Sequence, residues 1–196
     1  MADVKLAGGN YVILTCGFWY EWSLVAGIDF YGFDIQNKEA VLFDDGTAKV
    51  NTSTLAQCGR GVAALLSLPI IKEGDGPALE DWKDGVLYVS SFTVSQRDML
   101  DALHRAMGDS DSDWSITSES AQERTKNALG ELQKGSFSGF AQALYTRYFY
   151  SNGDGNYGAM HGLDNERLSL PQEDLDDITK WAVDKKLRDG YLYEGE

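Results

Sequence analysis

Tyr11-Val12-Ile13-Leu14-Thr15-Cys16, followed without a break by Gly17-Phe18-Trp19-Tyr20-Glu21-Trp22-Ser23, is the stretch on which the fold turns. The first six residues form a short continuous apolar run rich in β-branched side chains. A half-exposed strand alternates apolar with polar residues, whereas a run of this kind reads as a strand buried on both faces, as in a parallel sheet. The second part is the densest aromatic cluster in the chain. Placed directly after a buried strand, it lies where open parallel sheets bind ligands, beyond the strand's C-terminal end. Amphipathic rings there can wall an apolar pocket while Tyr20, the indole N–H groups and Glu21 supply polar contacts. The same rings can equally cap the core, and the sequence leaves both readings open.

Working outward, Phe33 to Ile35 and Ala40 to Phe43 read as a small hairpin ahead of Asp44-Asp45-Gly46. Thr54 to Leu68 is predicted to be a helix, with Leu55, Cys58, Val62 and Leu65/Leu66 on one stripe and Pro69 as its stop. Gly59, Gly61, Ala63 and Ala64 leave another side almost bare, which suits a helix lying flat on a sheet. Lys72 to Asp84 reads as a loop and Val86 to Ser91 as a second buried strand. Ser95 with Asp98, and Ser120 with Glu123, have the spacing of helix N-caps. The first opens a helix through Met107. The second follows a short strand at Trp114 to Thr117 and opens a helix to Lys134. Ser138 to Phe149 and Gln172 to Arg188 complete the helices, and Ser151 to Gly162 is a glycine-rich loop. Strands alternate with helices, so the class is α/β with a mainly parallel sheet, read as a single domain over residues 1–196. Only two strands are strong core candidates, fewer than a doubly wound sheet needs.

Seventeen Lys and Arg against 31 Asp and Glu leave a net charge of −14. An acidic surface of this size disfavours nucleic acid, which is held by basic patches, and anionic membranes for the same reason. No apolar run reaches the roughly 18–20 residues of a bilayer span, and the N-terminus lacks a secretory pattern. The expected location is the cytoplasm, and Cys16 and Cys58 then read as free thiols.

Familiar catalytic patterns are absent or out of context. Gly153-Asp154-Gly155-Asn156-Tyr157-Gly158 spells G-x-G-x-x-G, but the motif works between a strand and a helix, and here it follows a helix. There is no Walker A motif, no G-x-S-x-G elbow, and no Tyr followed four positions later by Lys. Asp109 to Asp113 begins like a calcium loop but has Trp114 and Ser120 where that loop needs glycine and glutamate. No metal site is expected. His104 lies in a helix; His161, in a loop, is the freer histidine and a candidate pocket residue.

Three blocks together resemble a known family. They are Cys16-Gly17-Phe18-Trp19-Tyr20-Glu21-Trp22-Ser23-Leu24; Asn51 to Thr54 with Cys58-Gly59-Arg60; and Tyr88 to Phe92 with Ser95 to Leu100. Gly162 to Asn165 and Leu170 to Leu175 extend the likeness over nearly the whole chain. They are similar to the fungal NmrA-like, isoflavone-reductase-like proteins, atypical short-chain dehydrogenases. The resemblance implies a partial Rossmann-type sheet with the C-terminal, substrate-binding region. The N-terminal nucleotide-binding half, with its glycine loop and active-site lysine, lies outside this chain, and Lys5 cannot be aligned with that lysine. By the resemblance NADPH is the cofactor, though its phosphate-binding loop is absent from this chain. Phe18, Trp19, Tyr20 and Trp22 fall where family members face nicotinamide and substrate; with His161 they form the candidate substrate-binding set, and no catalytic residue is assigned.

The expected ligand is a small apolar or aromatic molecule, phenolic or from secondary metabolism. In the resembled fold Tyr11 to Cys16 would lack a neighbour on one side, an open edge that invites pairing. Self-association or a partner supplying the nucleotide-binding half is therefore expected. Three functions stay open: an NAD(P)H-linked oxidoreductase component; a non-redox binding or regulatory module; and a stand-alone isomerase or cyclase, with Tyr20, Glu21 or His161 as acid–base candidates.

Overall fold

The computed structural model describes residues 1–72 and 74–193. A short helix α1 (Ala2–Leu6) precedes β1 (Val12–Thr15), and β2 (Phe18–Trp19) runs straight into α2 (Tyr20–Val25). The expected hairpin is β3 (Phe33–Asp34) with β4 (Glu39–Phe43), after which β5 (Val50–Ser53) leads into α3 (Leu55–Leu66). A 3-10 turn at Leu79–Trp82 opens onto β6 (Gly85–Tyr88), β7 (Phe92–Val94) and α4 (Gln96–Met107). Then come β8 (Ser115–Glu119), α5 (Ala121–Leu132), α6 (Phe137–Tyr148), α7 (Tyr157–His161) and α8 (Leu175–Asp189).

The strands form three small sheets. β1 pairs in parallel with β6, β5 lies between parallel β2 and antiparallel β7, and β4 lies between antiparallel β3 and parallel β8. The class is α/β with parallel strand pairs, as expected. Three strands were invisible in the sequence: β2, β5 and β7 are two to four residues long, too short for a periodicity to show, and β2 hides inside the aromatic block.

One expectation is corrected at β1, which is not buried on both faces. Ile13 is 37% exposed and its neighbours are half-buried, because β6 is the one strand paired with β1 among the described residues. A second correction concerns α3. Its buried line is Gln57, Gly61 and Leu65, while Val62 and Leu66 face outward. Of the bare residues Gly61 alone is buried: it sits over Val89, where a β-carbon would meet the Val89 methyls at 3.6 and 3.8 Å, while Gly59 and Ala63 are exposed. The glycine-rich loop also contains a helical turn, α7, capped by Asn156. At the last helix, the Asp174 carboxylate accepts from the amides of Asp176 and Asp177, so the helix starts there and not at Gln172.

Apolar burial divides into two clusters. The larger gathers Tyr20, Leu24, Tyr31, Phe33, Phe43, Met99, Leu100 and Leu103 with parts of α6 and α8. The smaller, Leu65, Trp82, Leu87, Val89 and Leu168, lies between α3 and the β1–β6 pair. Among the described residues no helix is long and apolar enough to cross a membrane.

Candidate functional site

The end of β1 is where the sequence turns most sharply. Gly17 has φ +68, a left-handed conformation that side chains disfavour, and its α-carbon passes directly under the Asn51 carbonyl. That turn lets β2 align in parallel with β5, Phe18 beside Thr52 and Trp19 beside Ser53. Asn51 is the hub of what surrounds it. Its carbonyl accepts from the Tyr148 hydroxyl at 2.8 Å, its Oδ1 from the Gly158 amide at 2.6 Å, and its Nδ2 donates to Thr93 Oγ1 at 2.7 Å. The Tyr157 hydroxyl donates to the Val89 carbonyl at 2.6 Å. Burial pushes both phenols well above their ordinary pKa, so they act as neutral hydrogen-bond donors.

The turn also brings Cys16 beside Cys58. The Cys16 thiol donates to the Gly17 carbonyl at 3.7 Å. Interaction with the Cys58 side chain lowers Cys16 to about 7, while the same interaction and burial push Cys58 upward. Next to them, two carboxylates gather at the start of α3. Glu21, 3% exposed, accepts with Oε1 from the Leu55 amide at 2.9 Å and from the Tyr193 hydroxyl at 2.8 Å. Its Oε2 is buried with no hydrogen bond, and desolvation raises its pKa. Glu173 accepts from Thr54 and Ser91 and pairs with Arg60.

The residues singled out in the sequence do not meet at one point. Phe18 stacks on Tyr145 with centroids 3.9 Å apart, and Trp22 reaches the same ring system through Phe30. Tyr20 is fully buried. Its hydroxyl lies 2.6 Å from Thr179 Oγ1 and its ring packs edge-on against Phe92. Trp19 is 46% exposed, the one ring of the block that presents a large face to solvent. His161 is exposed and stacks on Tyr88 at 4.7 Å. Two surface clefts stand out, and none of these five residues lines either. One of about 510 Å3 lies between Phe43 to Lys49 and Tyr150 to Asn156; the other, about 670 Å3, runs along Val12 and Leu14 beside Leu66, Ile70 and Ile71. Sequence reading missed Asn51, Tyr148 and Tyr157 as a group, because each lies in a different element and no spacing links them.

The described residues do not fit the phosphates of a dinucleotide. The G-x-G-x-x-G run follows α6, and two of its glycines are packing positions: a β-carbon on Gly155 would strike the Tyr148 carbonyl, and one on Gly158 would crowd the Asn51 side chain. The strand-to-helix junction from β5 to α3 has the right topology, but Glu21 and Glu173 occupy it and would repel a phosphate. No three metal-binding side chains come together among the described residues. The aspartates of the calcium-like turn are engaged elsewhere, Asp109 with His104, Lys38 and Trp114.

Parallel strands feeding helices, with ring-lined turns at the strand ends, define a Rossmann-like α/β protein. No family model matches the chain. It is 26% identical over 154 residues to the oxidoreductase aprR of Aspergillus flavus, covering 79% of this chain and 48% of that protein. The crystal structure of an isoflavone reductase matches 91% of the chain and 54% of its own length, with TM-score 0.65 and 16% identity. The Citrobacter sp. triphenylmethane reductase complexed with NADP(H) matches 92% and 56%, with TM-score 0.61 and 15% identity. The expected likeness thus holds, in sequence to oxidoreductases and in fold to isoflavone-reductase-type proteins. The chain spans about half the length of the relatives it matches.

Proposed function

We propose that this chain forms the substrate side of an NAD(P)H-linked oxidoreductase acting on a small phenolic or secondary-metabolite molecule in the cytoplasm. The observation behind this reading is that 79% of the chain aligns with an oxidoreductase by sequence, and 91% or more with reductases by fold, one of them complexed with NADP(H). The dinucleotide grip is assigned to a complementing half, since the described residues offer the phosphates two carboxylates. Phe18, Trp19, Tyr20, Trp22 and His161 stay the proposed substrate-side residues. Trp19 and His161 make direct contact, and Phe18, Tyr20 and Trp22 set the rings behind them. The open side of β1 and the apolar cleft beside it are the proposed seat of the complementing half or of a second copy.

The test is calorimetric titration of NADPH into the chain alone and into a fusion with the part of the aprR protein that the chain does not cover. Saturable binding at micromolar concentration in the fusion, with none in the chain alone, is the expected pattern. A fusion that folds and does not bind NADPH would refute the reading. The buried carboxylates at α3 favour a second reading, a non-redox ligand-binding module, which predicts aromatic-ligand binding indifferent to NADPH in either protein.

A further inference from the structure

The segment after α8 carries a phenol to a buried carboxylate. Gly190, at φ +80, closes the helix in a left-handed turn, and the chain then folds back so that the Tyr193 ring lies beside Trp181 of α8, centroids 6.4 Å apart. Leu192 is 2% exposed and anchors the segment in the larger core. The Tyr193 hydroxyl donates to Glu21 Oε1 at 2.8 Å. Tyr193 is partly exposed and Glu21 is buried, so the ring spans the way from solvent to the carboxylate.

The carboxylate has room for more than this phenol. The Leu55 amide, the first of α3, donates to the same Oε1 at 2.9 Å, and the positive end of the helix favours an anion there. Oε2 is buried and has no hydrogen-bond partner. An acceptor left in that state destabilises the fold, and a second donor delivered by a ligand would remove the cost.

We propose that Glu21 is a binding site for ligands with two adjacent ring hydroxyls, and that Tyr193 is its resident plug, displaced when such a catechol binds. One ligand hydroxyl replaces that of Tyr193 on Oε1, and its neighbour donates to Oε2. Displacement needs only rotation of the Tyr193 side chain, because Leu192 stays anchored. The plug lowers the apparent affinity in proportion to the fraction of time the site is open. The ligand class follows from the chain's own phenol and from the unpaired oxygen. Phenolic ligands are common to this site and to the proposed function, but NADPH has no part here. The NADPH titration of the fusion therefore succeeds or fails independently of what Glu21 binds.

The experiment titrates catechol, phenol and benzene separately into the wild-type chain, Tyr193→Ala and Glu21→Gln in anaerobic buffer, followed by NMR. The three ligands share one ring and carry two, one and no hydroxyls. Catechol should bind the wild-type chain saturably and bind Tyr193→Ala about tenfold or more tighter, the factor that one hydrogen bond to a carboxylate is worth. In each protein that binds, catechol should be tighter than phenol and phenol tighter than benzene. Glu21→Gln should weaken catechol by about tenfold and leave benzene unchanged. No binding of catechol to the wild-type chain, equal affinity in the wild type and a folded Tyr193→Ala, phenol as tight as catechol, or catechol binding indifferent to Glu21→Gln would each overturn the proposal. The wild-type and Glu21→Gln titrations decide it even if Tyr193→Ala fails to fold.

Discussion

Replacing Gly17 with alanine should destabilise the protein sharply, while the same change at Gly59 should stabilise it. At Gly17 the new β-carbon would land inside contact distance of the Asn51 carbonyl oxygen and 2.9 Å from the Tyr148 hydroxyl. The left-handed backbone costs an alanine about 1–2 kcal/mol. Forcing backbone apart around an added carbon costs about 1–3 kcal/mol more. The loss is therefore about 2–5 kcal/mol, which for a chain of this size lowers Tm by roughly 5–15 °C. Gly59, in contrast, is exposed within α3, and its β-carbon would have no heavy atom within 4 Å. There the lost chain entropy is recovered, and alanine should gain about 0.5–1 kcal/mol. Urea unfolding followed by circular dichroism measures both, with the wild-type slope as a check that the transition is the same one. Equal midpoints for Gly17→Ala and wild type would refute the account of the turn, since either term alone exceeds the error of the method.

Glu21→Gln tests the buried carboxylate. Folding raises the Glu21 pKa, so the native state holds more protons than the unfolded state between the ordinary and the raised value. The penalty is absent below that window and complete above it, so stability falls as pH rises through it. The glutamine variant should lose this dependence and gain on wild type from the acid side upward; parallel pH profiles of the two would sink the assignment. Tyr20 and Trp19 should behave oppositely on truncation. Tyr20→Ala removes a fully buried ring at about 3–5 kcal/mol, whereas half-exposed Trp19→Ala should cost under about 1.5 kcal/mol in the same denaturation assay. Tyr20→Phe keeps the ring and loses the bond to Thr179, about 1 kcal/mol by midpoint shift. If Trp19 proves the costlier truncation, the division between core ring and presented ring is wrong.

The helices were legible because their signals are local. Ser95 with Asp98, and Ser120 ahead of Glu123, form the expected caps, the hydroxyl of each accepting from the amide three residues on. The sheets were not, because two-residue β2 and three-residue β7 exist only by virtue of what β5 offers them across the fold. Burial of α3 was misassigned for a related reason. An apolar count favours Val62 and Leu66 over Gly61, yet closeness of approach, not hydrophobicity, decided which side faces the sheet. At the candidate site the aromatic block marked the right turn in the chain. The residues around it, Asn51, Tyr148 and Tyr157, come from separate elements, and the bond from the Gly158 amide to Asn51 alone spans 107 positions of sequence. A single residue type at one position cannot announce such a contact.

The unequal apolar clusters imply an order of opening. Five buried residues hold the layer of α3 and the β1–β6 pair, against twenty-one in the larger cluster. Local opening becomes easier where fewer apolar contacts must be lost. In hydrogen exchange, the amides of Val12 to Thr15 and Gly85 to Tyr88 should therefore trade protons for deuterons before those of α4 do. Anything that seats itself along that thin layer would bind its closed form alone and slow this breathing in proportion to its concentration. A strand that reads in the sequence as fully buried is thus expected to open before the helices of the larger cluster.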